Sequence, residues 1–337
     1  QEIVGIGGTS NTANASSTYN ERDKAIRDLS ELIDIETLDG PNGEKLVFMG
    51  TGESVVMQNG SFNLFSTVGD PDPNFKKLRL DVNGGKAVPL DVDTNKLKGK
   101  IGGLLAFRDD ILVPTQNQLG QMGLAIADAF NQQNHLGMDA NGELGGDIFD
   151  IPTVGALAYQ KNTGNASATA TLEPGKGSEL PASDFIITYT NNPNEVSIQP
   201  IDNKGNALGD PSLATIPPSG IIDSTAITSG ESFGLQINVS GTGNEGDAFQ
   251  VKLNSGVTGN ISLTTGRGED LALASPIRTA DNISNTGTGA ISAGNVTDVT
   301  TGSFNGPPLG LTNGPITVVK TANANEFTVS DGVNTST

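Results

Sequence analysis

Near residue 155 the chain changes its period, and that change constrains the fold more than any other feature of the sequence. Before it, apolar residues recur at helical spacing in two long stretches, separated by short alternating runs. After it, Gly, Asn, Ser and Thr dominate and long helical patterns vanish. What remains is a series of short strand candidates: DFIITYT, EVSIQPI, FGLQINVS, DAFQVKL, ISLTT, ITVVK and EFTVS. The reading is an α+β, multidomain protein. A mixed helical and β first domain at 1–155 precedes all-β domains at 156–276 and 277–337. The last domain stops in β-like sequence, and Gln1 is not an initiator methionine, so a trimmed piece of a longer protein is expected.

Within the first domain, residues 16–35 read as a helix. Thr18 and Glu21 have capping-box spacing, and Ala25, Leu29, Leu32 and Ile33 recur on one face. The runs KLVFMG, SVVMQNG, FNLFST and KLRLDV follow as antiparallel strands with tight turns. A second helical stretch, LLAFRDDILV, meets Pro114, where the missing donor predicts a break or kink. Beyond it Leu112, Thr115, Leu119, Met122, Ile126 and Ala129 alternate spacings of three and four, the pattern of a helix-packing seam. Two destinations fit such a seam: the domain's own core, or helices elsewhere in the assembly.

Composition narrows the chemistry. The chain has 337 residues, 38 acidic and 19 basic, for a net charge of −19. A field of that sign repels nucleic acid and anionic membrane. No apolar run approaches the roughly 20 residues that span a bilayer. The N-terminal QEIVGIGGTSNTANASS has neither a basic n-region nor an apolar h-region, so no cleavable signal peptide is read there. Cysteine is absent and His135 is the lone histidine. Thiolate catalysis, disulfides, ordinary zinc sites and most acid–base chemistry tuned near neutrality go with them. Neither an enzyme nor a cofactor or metal site is indicated.

Four motifs have bland readings that win. Gly241, Gly243 and Gly246 spell G-x-G-x-x-G, but DAFQVKL after them alternates as a strand and does not open a helix. A hairpin is therefore expected, not a dinucleotide cradle. GESFG around Ser232 has a polar loop before it and a strand after it, the wrong context for a nucleophile elbow. The calcium-like segments at 91–102 and 139–147 lack the required glycine, the bidentate glutamate or enough carboxylates. His135, at a helix end, suits capping or plain exposure.

Two stretches carry a family signature. YNERDKAIRDLSELIDI at 19–35 is one. The other runs over 99–149 and presents in order G-G-L-L-x-F-R-D, N-Q-L, A-D-A-F-N, H-x-x-G-x-D-x-N-G and G-G-D-x-F. Together they resemble the FlgK family of flagellar hook-associated proteins. SFGLQINVSGTGNEGDAFQV and LALASP extend the resemblance over 184–276. It implies an elongated, rod-like structural subunit, assembled as a ring at the junction of hook and filament. The implied route is secretion, without a cleaved signal, through the flagellar export apparatus to an extracellular position. Implied partners are the hook protein, a second hook–filament junction protein, identical subunits and an export chaperone. Terminal core-forming helices of that family lie outside this sequence. An absence of cysteine suits a chain that must thread a narrow channel.

The interface candidates are Leu112, Leu119, Met122 and Ile126 on the seam, with Arg22–Asp23 and Arg108–Asp109 in matching RD contexts on the two helical stretches. Those pairs are expected to bridge helices within the domain or to reach an adjacent subunit. An extracellular adhesin or carbohydrate-binding β module is the alternative, permitted by the Asn- and Thr-rich second half. A glycosidase would need a carboxylate pair that nothing in the sequence singles out.

Overall fold

The computed structural model describes residues 12–41, 43–299, 315–323, 325–333 and 335–336. The N-terminal stretch 1–11, where a signal peptide was sought, lies outside them. The chain divides into two units: Gln1–Gln121, Thr153–Thr171 and Pro181–Thr258 form the first, and Met122–Pro152, Leu172–Leu180 and Gly259–Thr337 the second.

The first unit opens with helix α1, Thr12–Leu32. It begins upstream of Thr18, so the Thr18–Glu21 pair lies inside the helix and is not its cap. Two three-stranded antiparallel sheets follow. One contains Ile35–Asp39, Lys45–Met49 and Ser54–Val56; the other contains Leu64–Val68, Lys77–Asp81 and Leu90–Asp91. Helix α2 is Gly99–Phe107. Ile33, Val47, Met49, Val55, Val56, Leu80, Val92 and Leu97 make one buried cluster, with Ile26, Leu29, Ile101 and Leu105 packed against it.

Pro114 does not break the helical path. A π-helical turn, Arg108–Leu112, leads into helix α3, Val113–His135. Proline lacks an N–H, and its ring crowds the carbonyl one turn back. The wider π turn accommodates that crowding without ending the helix. It also leaves the Asp109 carbonyl available to the side-chain amide of Asn203, which donates to it.

The rest of the first unit is β-structure in two sheets. The larger has the spatial order Ile227–Ser229, Ser212–Thr215, Glu195–Ile201, Asp184–Tyr189, Ala248–Val251, Leu157–Ala158. The smaller runs Ile221–Ile222, Leu235–Ser240, Ser167–Leu172, Val154–Gly155. Alternate residues of both are buried: Phe185, Ile187 and Tyr189 in the first, Leu235, Ile237 and Val239 in the second. That alternation belongs to sheets with one face on a core.

The glycine motif corrects one expectation. Leu235–Ser240 and Ala248–Val251 flank it as strands, but they belong to different sheets. The segment is a crossover between sheets, not a hairpin. Its glycines serve packing: a Cβ on Gly241 would lie 2.6 Å from the Asn165 carbonyl oxygen, and one on Gly243 would lie 2.4 Å from the Tyr189 ring. Asp247 closes the loop, accepting backbone N–H bonds from Thr163 (2.8 Å), Gly164 (2.9 Å) and Asn244 (2.8 Å).

In the second unit, Phe149–Asp150 pairs with Ser262–Leu263, and the edge of Phe130 meets Phe149 at 6.0 Å. Thr317–Lys320, Phe327–Ser330 and Thr335–Ser336 form a small antiparallel sheet.

Candidate functional site

Helix α3 turns a mixed polar and apolar face inward. Counting along it, the buried positions are Val113, Asn117, Gly120, Leu124, Ala127, Asp128, Asn131 and Asn134. Each buried polar group is put to use. In the first unit the Asn117 amide donates to Asp184 over a long 3.5 Å. A Cβ on Gly120 would stand 2.0 Å from the Asn254 carbonyl oxygen, so only glycine allows this approach.

The second unit uses the same face more heavily. Asp128 accepts the backbone N–H groups of Gly175 and Gly177, both at 2.8 Å. Asn131 accepts from Ile148 and Phe149 N–H at 2.9 Å each and donates to the Phe149 carbonyl at 2.8 Å. Asn134 accepts from Ala272 N–H and donates to the Gly146 carbonyl, each at 2.8 Å. These side chains supply hydrogen-bond partners to buried and part-buried backbone groups of the segments packed against the helix.

The seam residues point the other way. Leu112, Leu119, Met122 and Ile126 are 42%, 52%, 55% and 48% exposed, and Thr115 and Ala129 are exposed with them. Phe130 prolongs the stripe downstream. Leu104, Phe107 and Ile111, exposed on α2 and the π turn, precede it. The spacing that marks this second group was present in the sequence, interrupted only by the charged RDD of the π turn. The polar inner face was not legible, because Asn117, Asp128, Asn131 and Asn134 read as a solvent face.

Arg22–Asp23 and Arg108–Asp109 are pairs of sequence neighbours with a common design. Arg22 contacts Asp23 Oδ1 through Nε at 2.9 Å and Nη2 at 2.8 Å, and its Nη1 reaches the Gly43 carbonyl at 3.3 Å. Arg108 forks onto both Asp109 carboxylate oxygens, at 2.6 and 3.1 Å, and its Nη1 donates to the Lys76 carbonyl at 2.8 Å. Each arginine, aligned by its neighbour, thus ties a helical segment to the loop between two strands.

The remaining motifs are structural in these contacts. His135 Nε2 lies 2.9 Å from Asp147 Oδ1. Asp139 accepts from the N–H groups of Asn141 (2.8 Å) and Glu143 (2.9 Å) and shapes its own turn, while Asp93 pairs with Lys96 at 3.1 Å. Ser232 stands in a turn before Leu235–Ser240, with the strand Ile227–Ser229 upstream. In the first unit, the two best-formed clefts hold about 80 and 40 Å³. Small-molecule sites usually hold roughly 300 Å³ or more. No helix among the described residues is long and apolar enough to cross a membrane.

Residues 1–149 match the family profile described as the flagellar hook-associated protein FlgK helical domain. The flagellar hook junction protein FlgK from Burkholderia pseudomallei superimposes with a TM-score of 0.72 and 29% identity, over 98% of this chain. Sequence profile and fold thus both liken the chain to FlgK hook-associated proteins. Flagellar hook-associated protein 1 of Escherichia coli K12 is 27% identical over 275 residues, 81% of this chain. Its Salmonella typhimurium counterpart is 29% identical over 192 residues, 56% of this chain. This chain covers 47% and 34% of those relatives and 56% of the Burkholderia chain, so it spans about half or less of each. The FlgK-like motifs can now be read physically. A-D-A-F-N places Asp128 and Asn131 on the inner face of α3, and the aspartates of H-x-x-G-x-D and G-G-D organise the loop that returns from it.

Proposed function

We propose that this chain is part of a structural subunit of the bacterial flagellum that joins hook to filament and performs no catalysis. The observation that carries the reading is the apolar outer face of α3, Leu112, Leu119, Met122 and Ile126, which is exposed while Asn117, Asp128, Asn131 and Asn134 are buried. An exposed apolar stripe at coiled-coil spacing is a surface for another helix. The match to the FlgK helical domain over residues 1–149 and the likeness in fold support placing that surface at the hook junction. The occupant is a helix from the remainder of the full-length subunit or from a neighbouring copy in a ring. Export without a cleaved signal, an extracellular position, and contacts with the hook protein, a second junction protein and an export chaperone complete the proposal.

Deleting the gene tests it. Cells should carry hooks without filaments and release filament protein into the medium; normal filaments would refute the assignment. Restoring the full-length gene with Met122→Asp and Ile126→Asp should fail to rescue motility while the protein accumulates normally. Full rescue would remove the α3 face from the proposal.

A further inference from the structure

The first unit contains two cores and a polar joint. One core is the cluster around Val47, Met49 and Leu80, built entirely from residues up to 97. The other lies in the sheets, around Phe185, Ile187, Ile198, Ile237 and Val251. Two polar contacts between these halves meet on the loop connecting Leu64–Val68 to Lys77–Asp81, beside those made by the π turn and α3. Lys252, from the sheet half, forms a 2.8 Å ion pair with Asp72, with both side chains mostly buried. Its ammonium also lies 5.0 Å from the centre of the Phe75 ring, and the Arg108 guanidinium lies 4.0 Å from the same centre. Asp70 accepts the Gln160 N–H at 3.0 Å. At the π turn, Lys204 pairs with Asp110 at 3.0 Å.

Joints of this kind differ from cores in what opens them. Apolar contacts are strengthened by salt, whereas ion pairs are screened by it. A joint fixed by charges is specific in angle, because each pair has one good geometry, and it can be released without unfolding either core. We propose that loop 69–76 is a charge latch: Lys252, seated against Asp72 and Phe75, holds the sheet half onto the helical half and sets its angle, and loss of that pairing frees the halves while both stay folded. This stands apart from the assignment to the hook junction.

Amide hydrogen exchange on the intact chain tests it. The Gln160 amide, bonded to Asp70, reports the latch; Val47 and Ile187 report the two cores. Asp72→Lys should speed exchange at Gln160 roughly tenfold or more, the loss of a charged hydrogen bond, and leave Val47 and Ile187 protected. The charge swap Asp72→Lys with Lys252→Asp should restore protection. Phe75→Leu should give a partial effect, and added salt should speed Gln160 exchange in wild type and in the charge swap but not in Asp72→Lys. Unchanged exchange at Gln160 in Asp72→Lys, joint loss of protection in both cores, or no recovery in the swap would each overturn the latch.

Discussion

Three aspartates illustrate how differently one side chain can be used. Asp184 is buried, and burial pushes its carboxyl up to about 6, against the attraction of Lys252 and hydrogen bonds from Gln250 and Asn117. An acid raised in the folded state stabilises most below its ordinary value of 3.8, and that contribution is lost as pH rises through about 6. A shift of that size corresponds to about 3 kcal/mol. Asn117 Oδ1, which has no hydrogen-bond partner among the described residues, can accept from the protonated form. Asp184→Asn should therefore gain stability relative to wild type between pH 4.5 and 7.5, by up to about 3 kcal/mol; parallel denaturation curves across that range would contradict it. Asp72 has the opposite sign: burial raises it, but the Lys252 hydrogen bond, backbone N–H bonds and Coulomb attraction together hold it below the usual range. Its contribution is present near neutrality and lost as pH falls through its lowered value. Asp128 acts through geometry. Asp128→Ala would orphan the buried Gly177 N–H and free the more exposed Gly175 N–H and should cost about 1–3 kcal/mol in chemical denaturation. In the crossover loop, Gly243→Ala would force its methyl into the Tyr189 ring, and a loss of about 1–3 kcal/mol is expected by the same measurement.

At the scale of the element, α3 shows what a sequence reveals and what it conceals. The three–four spacing identified a helix and an apolar seam, and both are present. Hydrophobicity alone would turn that seam inward. The structure turns it outward, because loop backbone requires hydrogen-bond partners, and Asn131 and Asn134 supply them from the opposite face. Val113, Leu124 and Ala127 are the buried apolar residues of the inner face. The two faces should respond oppositely to mutation. Leu124→Ala should cost about 2–5 kcal/mol of stability, whereas Leu119→Asp should stay within about 0.5 kcal/mol in this chain. Equal losses from both would mean that the seam is core after all. The π turn was not legible either: Pro114 announced a disturbance, but whether a helix breaks or widens depends on what surrounds it. Here the Asn203 amide is placed to take the Asp109 carbonyl.

Across the chain, strands dominate the described residues after His135, with one short α-helix at Leu253–Val257, as the local signals of turn chemistry and period suggest. Partnership between strands was less visible. Leu235–Ser240 and Ala248–Val251 are neighbours in sequence with a glycine turn between them, yet each pairs elsewhere. Nothing local distinguishes a turn that folds a strand back from one that sends it to another layer; the Asp247 bonds to Thr163 and Gly164 decide it from 83 or 84 residues away. Long-range polar closure of this kind recurs in Lys252 with Asp72, 180 residues apart. The inward anchoring of α3 has a kinetic corollary. A helix already clamped by Asn131 and Asn134 before anything meets its outer side has no ordering step left to complete on encounter. Capture of a matching amphipathic strand of helix should then follow simple second-order time courses from the first instant, with no lag on the recipient's side.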